Sequence, residues 1–237
     1  MKTERIMKTF TMIGLVLGIL LLYGCRVGIN KSIYVRNGET LPYGPKTING
    51  SIIVGNDCII EGSCDTVNGK IELGTNCRVK NLKTINRGIS VGKGSVVDGE
   101  IGTINGSIIC DDGVEVDEKI STVNGSITCG AGVKAGDYIS TINGDINLKN
   151  TSVKENIKTL NGNITLKDKS IVEGDIIIKK RKHSITRNFH HQEIRITEDS
   201  VVKGDIIVED EEMKVKVYLS KGGKVEGQIK GTEVIQE

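Results

Sequence analysis

Thr103-Ile104-Asn105-Gly106-Ser107-Ile108 is followed, nineteen residues on, by Thr122-Val123-Asn124-Gly125-Ser126-Ile127. The same Thr-aliphatic-Asn-Gly tetrad stands at Thr47 to Gly50, Thr66 to Gly69, Thr141 to Gly144 and Thr159 to Gly162. A variant, Thr84-Ile85-Asn86-Arg87, has its glycine one place late at Gly88. From Thr47 to Thr159 the spacings run 19, 18, 19, 19, 19 and 18. A fixed period of this length marks identical supersecondary units that bury their apolar faces only by stacking on one another.

With the tetrad's aliphatic residue as position 0, position +4 is Ile52, Ile71, Ile89, Ile108, Ile127, Ile146 and Ile164. Position +6 is Val54, Leu73, Val91, Cys110, Cys129, Leu148 and Leu166. Position +12 is Ile60, Val79, Val97, Val116, Ala135 and Val172, with Val153 taking the slot one place early in the turn that contains Lys154. Two before each following Thr stands another apolar residue: Cys64, Leu82, Ile101, Ile120, Ile139 and Ile157. Gly, Asn, Asp and Ser, the turn formers, fill the gaps. The pattern predicts an all-β fold: a single-stranded, three-sided parallel β-helix of about ten coils of 18–19 residues. At the usual strand spacing it would be on the order of 45–50 Å long. The asparagines Asn49, Asn68, Asn86, Asn105, Asn124, Asn143 and Asn161 are expected at one corner, where Asn and Gly tolerate positive φ and successive amides can bond along the stack. The threonine hydroxyls are expected as an outward row beside them.

The register extends both ways. Ile29 lies nineteen before Ile48 and opens a first coil four residues after Cys25. Towards the C-terminus, Ser95-Val96-Val97-Asp98-Gly99-Glu100-Ile101 returns as Ser170 to Ile176, as Ser200 to Ile206 and, more loosely, as Lys224 to Ile229. Val172 to Val202 is thirty residues, one coil with an eleven-residue insertion, and Val202 to Val225 is twenty-three, one coil and four more. The expected organisation is therefore a leader over 1–24, a short N-terminal stub over 25–28, regular coils over 29–178, a basic insertion over 179–193 and final coils with a cap over 194–237.

Lys2, Arg5 and Lys8 precede an apolar run from Phe10 to Leu22, broken only by Thr11, Gly14 and Gly18 and short for a membrane span. Leu22-Tyr23-Gly24-Cys25 then resembles the lipobox of bacterial lipoproteins, although Tyr23 is bulkier than that pattern prefers. The resemblance implies cleavage before Cys25, lipidation of its thiol and a membrane partner reached through the lipid. Arg26 stands where lipoproteins retained in the inner membrane usually carry Asp, so the resemblance implies the outer membrane of the cell envelope. Removing Lys2, Arg5, Lys8 and Glu4 from 32 basic and 30 acidic residues leaves an electrically balanced body. Such a body does not attract nucleic acid by neutralising phosphates.

The Ser-Val-Val-x-Gly-Asp/Glu-Ile units and the Thr-Ile-Asn-Gly-Ser-Ile coils resemble the bactofilins, polymer-forming β-helical proteins, and their exported lipoprotein relatives. The resemblance covers nearly all of Ile29 to Val234 and implies a right-handed helix and end-to-end self-association. The export signal, the basic insertion and the acidic last coil depart from the cytoplasmic members. The left-handed hexapeptide solenoid of some acyltransferases is the rival fold, but a regular nineteenth residue does not fit turns built from whole hexapeptides.

Candidate chemistry is sparse. Cys58 and Cys77 share one coil position, Cys110 and Cys129 another, and Cys64 takes a slot held elsewhere by Ile or Leu. These are expected as buried thiols stacked in ladders, with a disulfide between adjacent rungs the other reading. No Cys-x-x-Cys exists for zinc, and neither a metal nor a cofactor is expected. The three histidines, His183, His190 and His191, lie in the insertion with Lys180, Arg181, Lys182 and Arg187. That cluster is either a solvated loop or a contact for lipid phosphate or an acidic glycan. Glu209-Asp210-Glu211-Glu212 lacks the spaced ligands and central Gly of a calcium loop and reads as a charged turn. The Thr-x-Asn rows also suggest a flat hydroxyl-bearing face like that of ice-binding solenoids. Three functions remain open: a non-enzymatic envelope scaffold, a module binding a glycan or envelope protein, and a polysaccharide-processing enzyme. The last would need a cluster of carboxylates and bases in one groove, which no coil position supplies.

Overall fold

The structure is a computed structural model that describes residues 27–180, 191–210 and 212–237. Among them are thirty-two strands and no helix. The strands are two to five residues long, and each successive strand joins the next of three sheets in rotation. All pairings are parallel. The sheets hold eleven, eleven and ten strands, so the chain makes ten complete turns and begins another. This is a three-sided parallel β-solenoid.

Each sheet takes its name from a recurrent inward residue: the buried threonine at or just past the strand end in the first, isoleucine in the second and valine in the third. The threonine sheet runs from Val27–Gly28 through Lys46–Thr47 and Ile101–Gly102 to Ile229–Lys230. The isoleucine sheet runs from Ile33–Val35 through Ile108–Cys110 to Glu233–Gln236. The valine sheet runs from Thr40–Leu41 through Val96–Val97 to Lys224–Val225. Equivalent residues sit directly above one another: Ile89 pairs with Ile108, Ile108 with Ile127 and Ile127 with Ile146. The register survives the insertion, since Val172 pairs with Val202 and Val202 with Val225.

Six positions per turn point inwards, two from each side. In the turn beginning at Cys64 they are Cys64 and Thr66, Ile71 and Leu73, Cys77 and Val79, all buried. Side chains alternate between the faces of a strand, so only every second residue can enter the column. That alternation corrects one expectation. Thr47, Thr66, Thr84, Thr103, Thr122, Thr141 and Thr159 are buried, whereas the aliphatic neighbours Ile48, Val67, Ile85, Ile104, Val123, Ile142 and Leu160 lie on the outside. The tetrad aliphatic falls one residue after the strand's second inward position, where the chain bends and the side chain turns out.

A buried hydroxyl needs a partner, and in all of these turns but that of Thr159, whose Oγ1 is buried without one, it finds a partner in the turn below. Thr66 Oγ1 donates to the Gly50 carbonyl at 2.8 Å, Thr103 to Arg87 at 2.9 Å, Thr122 to Gly106 at 2.9 Å and Thr141 to Gly125 at 2.9 Å. The same packing explains the tetrad glycine throughout, and the positive φ that the sequence suggested is found only at Gly144 and Gly162, at +152° and +151°. A Cβ on Gly125 would lie 2.0 Å from the Gly106 carbonyl oxygen, and no left-handed φ is found there. Left-handed backbone is concentrated instead at the corner between the isoleucine and valine sheets, at Asp57, Asn76, Gly94, Gly113 and Gly132 in successive turns.

The short turns lose their residue at corners and never inside a strand. Ile60 pairs with Val79, nineteen apart, but Cys64 pairs with Leu82, eighteen apart, so Glu61-Gly62-Ser63 gives way to Lys80-Asn81. In the later short turn Ala135 pairs with Val153, which places the loss between the isoleucine and valine sheets.

Two comparisons test this parity. Ile108→Ala should lose about 2–5 kcal/mol in urea unfolding, whereas Ile104→Ala, in the same turn but facing out, should lose under about 1 kcal/mol. Gly125→Ala should destabilise by more than about 1 kcal/mol, through a clash with backbone. By contrast, Gly102→Ala, whose added Cβ would meet nothing nearer than 3.9 Å, should stay within about 0.5 kcal/mol of the parent.

Candidate functional site

The corner after the threonine sheet carries two parallel rows on the outside of the solenoid. One is the outward aliphatic ridge, from Ile29 and Ile48 through Ile104 and Ile142 to Leu160. Beside it stand the corner asparagines. Asn49 Nδ2 donates to Asn30 Oδ1 at 2.5 Å and Asn68 to Asn49 at 2.6 Å. Asn86 donates to Asn68 at 2.6 Å, and Asn105 to Asn86 at 3.0 Å. Asn124 donates to Asn105 at 2.9 Å, Asn143 to Asn124 at 2.8 Å and Asn161 to Asn143 at 2.7 Å. Each amide uses one donor and one acceptor along the row, and its remaining N–H and lone pair stay available to water. The Thr-x-Asn face does not form, because the threonine hydroxyls that would complete it are inside, most of them bonded to a corner carbonyl of the turn below.

The basic insertion and the acidic run meet at one place. Lys179 Nζ lies 2.6 Å from Glu209 Oε1, and the Lys180 backbone N–H donates to Glu209 Oε2 at 3.3 Å. Of the four proposed anion-binding residues, Lys180 is described and exposed, while Arg181, Lys182 and Arg187 lie outside the described residues. His191 is described and exposed; His183, His190, the lipidation candidate Cys25 and Glu211 also lie outside the described residues. The strand that follows the insertion, Gln192–Ile196, already starts at Gln192.

Gln192 is a residue that sequence reasoning missed. It is buried, and its Nε2 donates to the carbonyls of Gly162 at 3.1 Å and Leu160 at 3.3 Å. In this turn Ile178 occupies the threonine slot, pairing with Thr159. A glutamine from the neighbouring side of the coil therefore supplies the donor that a threonine supplies elsewhere. The only signal was the break in the tetrad itself.

The five described cysteines are free thiols and buried. Cys110 and Cys129 are register partners on adjacent rungs. Cys58 Sγ donates to the Arg36 carbonyl at 3.0 Å and Cys77 Sγ to that of Gly55 at 3.0 Å. Burial pushes the Cys64 and Cys77 thiols up, and the contact with Cys129 together with burial does the same for Cys110. Such thiols stay protonated and act as small hydrophobes.

Charge on the outer faces is arranged in ladders between rungs. Arg78 pairs with Asp98 at 2.8 Å, Lys134 with Glu115 at 2.6 Å and Lys203 with Glu173 at 2.9 Å. Glu100 is held between Lys83 and Lys119, the latter at 2.7 Å. Partial burial works against its ionisation, but the two ammonium groups outweigh it and hold the carboxyl below its ordinary value. Among the described residues, no group of three or more His, Cys, Asp or Glu side chains could hold a metal ion. Nor is any helix there long and apolar enough to cross a membrane.

In comparisons with known proteins, no family model, no curated protein and no solved structure matches the chain. What stands is the class, a parallel β-solenoid.

Because the Glu100 carboxyl is depressed, its contribution to stability is present above its unfolded value of about 4.5 and is lost as pH falls through the lower folded value. Glu100→Gln should remove that contribution, giving a smaller fall in unfolding midpoint between neutral pH and about pH 3 than the parent shows.

Proposed function

We propose that this chain is a non-enzymatic, membrane-anchored scaffold lipoprotein of the bacterial envelope, a bactofilin-like rod able to associate through its end coils. One observation carries the reading. The first paired strand, Val27–Gly28, begins two residues after the lipobox-like Cys25, and an unbroken column of paired turns leads from it to Glu233–Gln236. A lipid on Cys25 would thus hold the rod with almost no tether. The exported bactofilin relatives are the resemblance that supports self-association. So do the ends: Glu233–Gln236, Ile229–Lys230 and Lys224–Val225 are the last strands of their sheets, each paired on one side only. Unpaired strand edges are templates for another chain.

The envelope side of the proposal follows from the leader and from Arg26, which favours the outer membrane. A binding role is the second reading, favoured by the emergence of the basic insertion at exposed Lys180. In that reading Lys180, Arg181, Lys182 and Arg187 would meet an acidic glycan or a lipid phosphate. Electron microscopy of the full chain purified from membranes separates the two. Filaments or bundles are the expected result, and isolated rods at every concentration would reject self-association. Replacing the four basic residues with Ser should leave assembly intact; loss of binding to an anionic glycan column in that variant would favour the second reading.

A further inference from the structure

Seven large hydrophobic side chains are exposed among the described residues, and the three most exposed belong to the first turn: Tyr34 at 70%, Tyr43 at 69% and Ile29 at 64%. They do not form one patch on one side. Ile29 lies at the corner that leads into the isoleucine sheet, and Tyr34 is the middle residue of the strand Ile33–Val35. Tyr43 lies on the opposite corner, between Thr40–Leu41 and Lys46–Thr47. The three project around the rod at the height of its first rung. A partner lying along one flank would cover at most part of this set, whereas a flat surface across the end of the rod can meet all three.

The charge around them fits an anionic surface. Lys31 and Arg36 are exposed on either side of Tyr34, and Glu39 is the only acidic residue from Val27 to Pro45. Farther up the same column as Tyr34 stand Ile53, Glu72, Ser90, Ile109, Thr128 and Asn147. Its other tyrosine, Tyr218, is only half-exposed, with the Arg195 guanidinium 4.1 Å above its ring, so the fully exposed aromatic of this column is at the starting end. The far end is of another kind, with Glu233 and Glu237 beside Lys216 and Arg195. In the anchor reading the lipid would sit on Cys25, only two residues from Val27. Two residues span at most about 7 Å.

We propose that the first turn is a membrane-seating surface. Ile29, Tyr34 and Tyr43 enter the headgroup region of the bilayer, and Lys31 and Arg36 meet lipid phosphates. Tyrosine suits that boundary because its ring is apolar and its hydroxyl stays hydrated. Apolar groups on such surfaces reach the boundary between headgroups and acyl chains. This deepens the lipid-anchor reading and rests on it: the anchor fixes the end of the rod near the membrane, and the rim fixes the rod's angle to it.

The chain has no Trp, so a single introduced indole reports its own position. Tyr34→Trp, Tyr43→Trp and Ile109→Trp would each be made in the full chain, processed by the cell and reconstituted into phosphatidylethanolamine–phosphatidylglycerol vesicles with brominated acyl chains. Ile109 lies four rungs up in the Tyr34 column, roughly 19 Å from it. Emission from positions 34 and 43 should fall by about half relative to unbrominated vesicles and shift to the blue, as expected for burial at the acyl boundary. Position 109 should stay unquenched and open to iodide. Iodide access at 34 and 43 equal to that at 109, with no bromine quenching, overturns the proposal. So does shielding of 34 and 43 already present before vesicles are added, which would mean that a second copy covers the rim. Mass spectrometry of the Cys25 peptide judges the anchor separately. A lipidated Cys25 with water-exposed reporters sinks the rim and keeps the anchor, whereas an unmodified Cys25 sinks the anchor reading on which the rim rests.

Discussion

Every feature of this molecule depends on vertical pairing between turns. Among the described residues no strand exceeds five residues and most have two or three, far too few to be stable alone. Each gains its hydrogen bonds from the turn below and the turn above, and each buries one or two side chains against like side chains from those turns. Local contacts within a turn contribute little. Stability is therefore close to a sum of nearest-neighbour terms along the rod. The end turns have one neighbour where all others have two, and they are the natural places for a membrane or a second chain to supply the missing contact.

The constraint also decides what the corners can be. Adjacent turns are so close that the tetrad glycine faces the carbonyl of the equivalent corner one rung down, leaving no room for a Cβ. In most turns the threonine hydroxyl bonds that carbonyl from inside. Threonine and glycine are thus two halves of one arrangement: the glycine allows the approach, and the hydroxyl bonds the oxygen that the approach would strand. Where the chain departs for the insertion, the threonine slot becomes Ile178 and Gln192 takes over the bonding. The arrangement is kept although the residue type and its position in the coil both change.

The sequence made the column legible but left the facing of the tetrad undecided. The isoleucines from Ile52 to Ile164 announce their burial by strict recurrence, and Val172, Val202 and Val225 keep their alignment across insertions of unequal length. The tetrad misled because both of its first two members are mostly β-branched, and hydrophobicity alone puts the isoleucine inside. Only the two-residue alternation counted from Ile101 or Ile120 assigns Thr103 and Thr122 to the interior, and that count needs the strand limits in advance. The reason for the glycine was out of reach in the same way, since close approach between turns leaves no mark in one turn's sequence. The insertion and the acidic run carried no shared pattern, so the Lys179–Glu209 pair joining them emerged only from three-dimensional placement.

The asparagine row has a direction. Every amide from Asn161 down to Asn49 gives its hydrogen to the neighbour one turn nearer the N-terminus, and none reverses. Side-chain amide dipoles in such a file add, whereas those of neighbouring strands in a sheet largely cancel. The file ends with unspent N–H groups at Asn30 and an unspent oxygen at Asn161. A rod whose ionised side chains nearly balance is thereby electrically asymmetric from end to end, with its electropositive pole on the rung nearest Cys25.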